Sequence, residues 1–255
     1  MPLLLFATAC RAESKSDSGT YIALGDSLSE GVGASEPAAT AFVPLVQQGL
    51  GERFQLINLG HSGDTSQDLL DHGHLDQAVS EIDRRETDGD PDNDVKLITL
   101  EVGGDDLLDL FSSLTLAGTC PDLRTAIQKP ECLNPLNAAF QRYEPNLMSV
   151  LTSLQQAAPD ATIIVMTLYN PFSGTPIVAE LADLALEGLP NTPLREGMND
   201  IIRVQAQERG AVLVDLYPLF QESAEDLIAD DRVHPNDAGY RVMAEAVLEA
   251  VEDVR

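Results

Sequence analysis

Residues Thr20–Ser29 read TYIALGDSLS, in which the apolar run Thr20–Gly25 is followed at once by Asp and Ser. Four more short apolar runs follow along the chain, at Phe54–Asn58, Val95–Val102, Thr162–Leu168 and Ala211–Leu216. Runs this apolar are typical of parallel strands that are buried on both faces of a sheet. The sequence therefore predicts a parallel sheet of five strands.

Segments with helical spacing of apolar residues alternate with these strands, at Ala38–Leu50, Leu75–Arg85, Leu136–Ala158, Leu194–Arg209 and Gly239–Val251. We expect the third segment to break near Pro145. Alternation of strands and helices predicts one doubly wound α/β domain, a three-layer α/β/α sandwich over residues 20–255. Right-handed crossovers then bring the carboxyl ends of the strands to one edge, where function is expected.

The composition limits the partners of the chain. Of 255 residues, 44% are hydrophobic, and 42 acidic residues against 15 basic ones give a formal net charge of −27. A field of this sign repels nucleic acid, so we expect no nucleic-acid partner. No apolar run approaches the roughly 18 residues that a membrane-spanning helix needs.

The segment 1–19 is expected to lie outside the folded domain. Residues 3–10 read LLLFATAC, which resembles the end of a bacterial lipoprotein signal whose lipidated residue would be Cys10, although no Lys or Arg precedes the apolar run. The Ser-rich residues 11–19 suit a flexible tether. We expect a secreted or lipid-anchored protein at a bacterial cell surface, with membrane contact only through Cys10.

Cys120 and Cys132 form an even pair close in sequence. In an exported protein such a pair predicts a disulfide that closes a short loop and contributes about 3 kcal/mol. Two free buried thiols are the alternative.

Polar clusters follow four of the predicted strands. Ser27 comes directly after the first strand, and Gly63 lies in a turn after the second, where its N–H is exposed near a helix start. The third strand ends in Gly103-Gly104, which lets the backbone pass close to a substrate. Before the last helix, Asp231 precedes His234 by three residues, so the carboxylate can hold Nδ1–H while Nε2 takes a proton from Ser27.

These blocks resemble the GDSL or SGNH hydrolase family over nearly the whole domain. They occur in the family's order: GDSLS from residue 25, SGDT from residue 62, GGDD from residue 103 where the family has GGND, and DDRVHPN from residue 230. The resemblance implies a flavodoxin-like fold and the hydrolysis of acyl esters. It assigns Ser27 as nucleophile, His234 as base and acid, and Asp231 as the residue that orients His234.

The resemblance also assigns the oxyanion hole and the substrate pocket. The N–H groups of Ser27 and Gly63 would be two oxyanion donors, and position 105 would supply the third. Residues expected to contact substrate are Leu28, Gly104, Tyr169 and Asn170.

Asp105 departs from the family pattern, which has an Asn amide at this place. An ionised carboxylate would repel the oxyanion, and losing one donor costs about 2.7–4 kcal/mol of transition-state stabilisation. Three outcomes stay open: Asp105 is protonated and donates, it swings away and leaves two backbone donors, or the enzyme is feeble or inactive.

We expect no metal or organic cofactor. His72 and His74, with Asp71 and Asp76, are interpreted as a polar turn, because their spacing fits no closed zinc site. His61 is expected to line the rim of the cleft.

The apolar segment Leu107–Pro135 is expected to wall the cleft, or merely to pack on the core, and the first reading favours lipid-like or medium-chain acyl esters. A carbohydrate O-deacetylase is the alternative, weakly disfavoured because the chain has no Trp and 5% aromatic residues. A non-catalytic surface binding protein on the same fold is a second alternative. We expect a monomer.

Overall fold

We describe a computed structural model of the chain, which covers residues 18–116, 118–172, 176–221 and 224–254. Cys10 and nearly all of the predicted segment 1–19 lie outside the described residues. The first strand begins at Gly19, one residue before the predicted start of the domain. No helix within the described ranges is both long and apolar enough to cross a membrane.

Within the described residues, five strands form one parallel sheet. They are β1 (Gly19–Gly25), β2 (Phe54–Gly60), β3 (Val95–Glu101), β4 (Thr162–Met166) and β5 (Val212–Val214). Their spatial order is β2-β1-β3-β4-β5, and every neighbouring pair is parallel. This is the doubly wound, flavodoxin-like order, so the predicted fold class is confirmed.

Helices fill the connections between the strands. They are α1 (Ser27–Glu30), α2 (Pro37–Thr40), α3 (Phe42–Leu50), α4 (Ser66–Asp71), α5 (His74–Thr87), α6 (Gly104–Leu116), α7 (Leu123–Ala126), α8 (Pro130–Ala157), α9 (Pro176–Glu187), α10 (Met198–Arg209), α11 (Leu216–Gln221), α12 (Ala224–Leu227) and α13 (Asp237–Asp253).

Each face of the sheet has its own apolar core, because successive side chains of a strand point to opposite faces. On β1, Ile22 and Leu24 belong to the core beneath α5, α8 and α10, while Tyr21 and Ala23 belong to the core beneath α3 and α13. All four side chains are fully buried. The two cores make the three predicted layers.

Two of the predicted helical segments divide or begin at a different residue in the structure. The segment predicted as one helix from Ala38 divides at Ala41, whose backbone is extended. The helix predicted from Leu194 begins only at Met198, because Gly197 is extended and caps it.

The predicted break near Pro145 is wrong, since α8 runs through it without interruption. A proline removes one backbone hydrogen bond, but Tyr143 and Leu147 on either side of it are fully buried in the core. The carbonyl of Pro145 also accepts a hydrogen bond of 2.8 Å from the Ser149 hydroxyl. Tertiary packing therefore keeps the helix continuous.

The strand order indicates which edge of the sheet can bind a ligand. The connection from β1 leads to β2 on one side, and the next connection leads to β3 on the other side of β1. The carboxyl ends of β1 and β3 therefore meet at a topological switch point, where doubly wound proteins bind ligands.

Candidate active site

Ser27, His234 and Asp231 are joined by a chain of hydrogen bonds. Ser27 is the first residue of α1, and its Oγ lies 3.0 Å from His234 Nε2. His234 Nδ1 lies 2.7 Å from Asp231 Oδ2. Because the carboxylate can only accept, Nδ1 carries the proton and Nε2 is left to accept from the Ser27 hydroxyl.

Asp231 is held in place by backbone donors as well as by the imidazole. Its Oδ1 accepts hydrogen bonds from the N–H groups of Val233 at 2.9 Å and His234 at 3.0 Å. Partial burial would raise the pKa of this carboxyl, but these N–H groups and the His234 ring outweigh burial and lower it. Asp231 is therefore ionised at neutral pH.

The loop that carries His234 is fastened to the rest of the site. The Tyr169 hydroxyl donates to the Val233 carbonyl at 2.7 Å. Gly33, with a φ of +92°, leaves room for the loop, because a Cβ there would come within 2.8 Å of the His234 Cβ. Asn236 then caps α13 by accepting from Ala238 and Gly239.

The turn that presents Ser27 depends on Gly25 and Asp26. A Cβ at Gly25, whose φ is +153°, would lie 2.0 Å from the carbonyl oxygen of Glu101. Only glycine fits between the ends of β1 and β3 at this point. The side chain of Asp26 caps α1 by accepting from the Leu28 N–H at 3.1 Å.

A buried pair of carboxyl groups lies behind Ser27. Asp26 and Glu101 are 2% and 1% exposed. Within the described residues, no nitrogen or hydroxyl donor reaches either oxygen of the Glu101 side chain, whose hydrogen-bond partner is the carboxyl of Asp26. Two carboxyls can share a hydrogen bond only when one of them is protonated.

Burial sets the protonation of this pair. Burial, followed by the charge of Asp26, raises the pKa of Glu101 well above its ordinary range, so Glu101 holds the proton. Burial also raises the pKa of Asp26 to about 7, although the hydrogen bond from Glu101 lowers it in part. The charge of nearby Asp105 acts in the same direction as burial on both groups.

Gly63 lies in the turn between β2 and α4, as predicted, with a φ of +89°. The turn is fixed to α1, because the N–H of Ser62 donates to Glu30 at 2.7 Å. It is also fixed to α6, because the carboxylate of Asp106 accepts from both the N–H and the hydroxyl of Ser66 at 2.7 Å. Asp106 thus acts as a clamp that the sequence alone did not identify.

One cleft collects most of the predicted site residues. It encloses about 640 Å³, part of which is open to solvent. The predicted residues that line it are Ser27, Leu28, Gly104, Asp105, Tyr169 and His234. Most of the remaining wall is apolar and is formed by Leu107, Leu108, Leu168, Pro171, Phe172, Ala182, Leu186 and Val233.

Asn170, predicted to contact substrate, does not line this cleft. It is 5% exposed, and its amide nitrogen donates to the Ala179 carbonyl at 3.0 Å and to the Asp183 carboxylate at 2.6 Å. Its amide oxygen accepts from the Phe172 N–H. The side chain therefore fixes the loop after β4 against α9, and it is the preceding residue, Tyr169, that reaches the cleft.

Cys120 and Cys132 are joined by a disulfide between the segment after α6 and the start of α8, with their Cα atoms 5.9 Å apart. The bond borders a second apolar cavity of about 300 Å³, to which Leu114 and Leu136 also contribute.

The chain matches a known family over most of its length. The model of the GDSL-like Lipase/Acylhydrolase family matches residues 23–242. The spore germination lipase LipC of Bacillus licheniformis is 27% identical over 240 residues, which cover 90% of this chain and 95% of LipC.

Two solved structures have a similar fold. The lipase Lip_vut3 from a goat rumen metagenome has a TM-score of 0.66 and 21% identity, with 91% of this chain and 96% of that chain covered. A mutant of Axe2, an acetyl-xylooligosaccharide esterase from Geobacillus stearothermophilus, has a TM-score of 0.58 and 20% identity, with 93% and 96% covered.

The order of the strands and the cleft at their carboxyl ends therefore agree with the family match. The chain belongs to the GDSL-like lipase/acylhydrolase family. It is a carboxylic ester hydrolase.

Proposed function

We propose that the chain hydrolyses apolar acyl esters through an acyl-enzyme, with Ser27 as nucleophile. The observation that carries this proposal is the unbroken hydrogen-bond chain from Ser27 through His234 to Asp231, at the edge of an apolar cleft. A serine hydroxyl alone is a weak nucleophile, and a base within hydrogen-bond reach activates it.

In the first half-reaction, His234 Nε2 takes the hydroxyl proton of Ser27 as Oγ bonds to the carbonyl carbon of the ester. The bond to the leaving alcohol then breaks, and the proton passes from Nε2 to the alcohol oxygen. In the second half-reaction, His234 takes a proton from water as the water oxygen attacks the acyl carbon. The bond between this carbon and Ser27 Oγ then breaks, and the proton passes from Nε2 back to Oγ, which releases the acid. The ionised Asp231 stabilises the imidazolium in both halves.

The oxyanion that forms needs donors that are already in place. The first N–H of a helix has no intrahelical partner, which leaves that of Ser27 free for this role. The N–H of Gly63 is the proposed second donor, in the turn clamped between α1 and α6. Asp105 lines the cleft at the position where the family has an amide, and an ionised carboxyl there would oppose the oxyanion.

The wall of the cleft supports an acyl chain as the part of the substrate that binds there. Leu107 and Leu108 on α6 face Ala182 and Leu186 on α9 across it. Burying apolar surface contributes about 25 cal/mol per Å², so each added methylene of a chain that fits strengthens binding by up to about 0.8 kcal/mol.

Hydrolysis of nitrophenyl acetate, butyrate, hexanoate and octanoate tests both parts of the proposal. We expect kcat/KM to rise from acetate to the longer esters, and Ser27→Ala to abolish turnover of all four. Ser80→Ala, an exposed serine on α5, is the matched control and should leave the rates unchanged. A preference for acetate would instead favour a deacetylase, and full activity of Ser27→Ala would refute the mechanism.

A bulky residue in the wall tests where the chain lies. Ala182 is 4% exposed and lines the cleft. We expect Ala182→Phe to reduce kcat/KM for octanoate about tenfold or more while acetate hydrolysis persists, which also shows that the variant folds. Equal losses for both esters would place the acyl chain elsewhere.

We further propose that the protein works outside the cytoplasm. The Cys120–Cys132 disulfide supports this, since such bonds persist in oxidising compartments. Radiolabelled palmitate on Cys10 in a bacterial host, absent from Cys10→Ser, would support lipid anchoring; unlabelled protein in the cytoplasm would contradict it.

A further inference from the structure

Three of the four histidines of the chain converge on one carboxylate, outside the catalytic hydrogen-bond chain. His61 Nδ1 lies 3.0 Å and His72 Nδ1 3.3 Å from Asp64 Oδ1. His74 Nε2 lies 3.1 Å from Asp64 Oδ2. The sequence analysis grouped Asp71 and Asp76 with His72 and His74 alone, but both carboxylates are exposed and the three histidines surround Asp64 instead.

Asp64 is an unusual residue to find at the centre of this cluster. Its side chain is 3% exposed, and no Lys or Arg in the described part of the chain forms an ion pair with it. Its Oδ2 is buried and accepts no hydrogen bond from any described group. A buried carboxylate oxygen without a partner is destabilising unless a charge compensates it.

The position of His74 relative to Asp64 Oδ2 indicates which charge compensates that of the buried carboxylate. Nε2 and Oδ2 are 3.1 Å apart, yet they are not aligned for a hydrogen bond. Atoms that bind the same metal ion lie this close to each other while both point at the ion. The donor atoms of His61, Asp64 and His74 all lie within 4.8 Å of one another.

We propose that His61, Asp64 and His74 bind a divalent transition-metal ion of the zinc class. Imidazole nitrogen combined with one carboxylate suits zinc, whereas calcium and magnesium prefer all-oxygen sites. The His61 and His74 rings are stacked with their centroids 5.0 Å apart, and the side chain of His61 is exposed to solvent.

Neighbouring side chains fix the position of the proposed ligand Asp64. Thr65 caps α4, and the Asp68 carboxylate accepts from the Thr65 N–H in return. His72 lies between this carboxylate and that of Asp64, with its Nε2 3.4 Å from Asp68 Oδ1. His72 is therefore a positioning residue for Asp64. His61 is exposed and His74 half-buried, so an ion reaches the site from solvent without opening the fold.

The metal would join two segments that are separated along the chain by α4. His61 and Asp64 flank Gly63 in the turn after β2, and His74 is the first residue of α5. Binding of an ion by the folded chain stabilises that chain against unfolding. The site would therefore fasten this turn to the start of α5.

Calorimetric titration of the full chain with zinc chloride, after chelator treatment and dialysis, tests the site. We expect one zinc ion per chain and a rise of several degrees in Tm. His61→Ala and His74→Ala should each weaken zinc binding at least about tenfold. His234→Ala is the matched control and should bind zinc as the unchanged chain does.

Other results would overturn the assignment. Absence of zinc binding would mean that the histidines serve only as hydrogen-bond partners of Asp64. Loss of binding in His234→Ala would move the ion to the catalytic cleft, and equal affinity for calcium would indicate an unspecific acidic surface. None of these measurements uses ester hydrolysis, so they are independent of the proposed mechanism.

Discussion

Two groups of carboxyl side chains lie near Ser27, the proposed nucleophile, and their hydrogen-bond partners differ. Asp231 faces N–H donors on both oxygens, from the backbone of Val233 and His234 and from the imidazole. Glu101, on the other side of Ser27, is fully buried and meets another carboxyl, that of Asp26. The first arrangement lowers a carboxyl pKa, and the second raises two.

The difference shows that partners, more than residue type, decide whether a carboxyl is charged. The charge is present at Asp231, where in the proposed mechanism it would stabilise the imidazolium of His234. It is diminished behind Ser27, where a second full charge would oppose an oxyanion. Asp105 lines the cleft together with Asp26 and Glu101, and its charge raises the pKa of both of them further.

The largest expected effect on the rate comes from replacing the ionised carboxylate of Asp231. Asp231→Asn should lower kcat about 10⁴-fold, because an amide carries no charge and can present its NH₂ to Nδ1, which selects the wrong tautomer. Initial rates on the best nitrophenyl ester measure this. The neighbouring exposed residue supplies the control, Asp230→Asn, whose rate should not change. If both variants were equally active, Asp231 would have no part in catalysis.

The second largest expected effect is a rise in kcat/KM on replacing Asp105. Asp105→Asn places an amide donor in the cleft, and one oxyanion donor is worth about 10²–10³-fold in rate. We expect kcat/KM to rise by about that factor, and the gain should widen with pH if Asp105 donates a proton at low pH, since an amide donates at every pH. Asp76→Asn, an exposed change on α5, is the control. An unchanged or lower kcat/KM would show that Asp105 does not oppose the oxyanion.

The third effect concerns stability. The folded chain holds protons on Asp26 and Glu101 that the unfolded chain releases near pH 4, so stability present below pH 4 should be lost as pH rises through about 7 and beyond. Each retained proton costs about 1.4 kcal/mol per pH unit over that range.

Urea unfolding at several pH values measures this slope. Glu101→Gln supplies an N–H to Asp26 without any proton to lose, so it should flatten the slope. Glu249→Gln, on the exposed face of α13, should keep it. A slope that is the same in Glu101→Gln would show that the pair does not hold the proton.

Much of the fold could be predicted because the strands are unambiguous apolar runs separated by helical periodicity. The site followed from order along the chain, since strand ends in a doubly wound sheet meet at one edge. Local patterns also predicted the relation between Asp231 and His234, which lie in one loop. In the described structure, contacts between residues that are close in sequence were therefore predicted best.

Contacts between distant segments explain what the sequence did not predict. Glu101 gave a signal that could have been used, because a charged residue at the end of a strand buried on both faces needs a special partner. The break at Pro145 was predicted from a local rule, and core packing overrides it. Asn170 was expected at the substrate from the family resemblance, but its amide donates to the Asp183 carboxylate. The carboxylate of Asp64 could not be linked to His74 without knowing how α4 turns into α5.

Labelling with a fluorophosphonate probe, followed by mass spectrometry of the intact and digested protein, tests the central claim most directly. The account predicts one adduct per chain, located on Ser27, absent in Ser27→Ala and formed far more slowly in His234→Ala. An adduct on another serine, or equal labelling in the absence of His234, would contradict it.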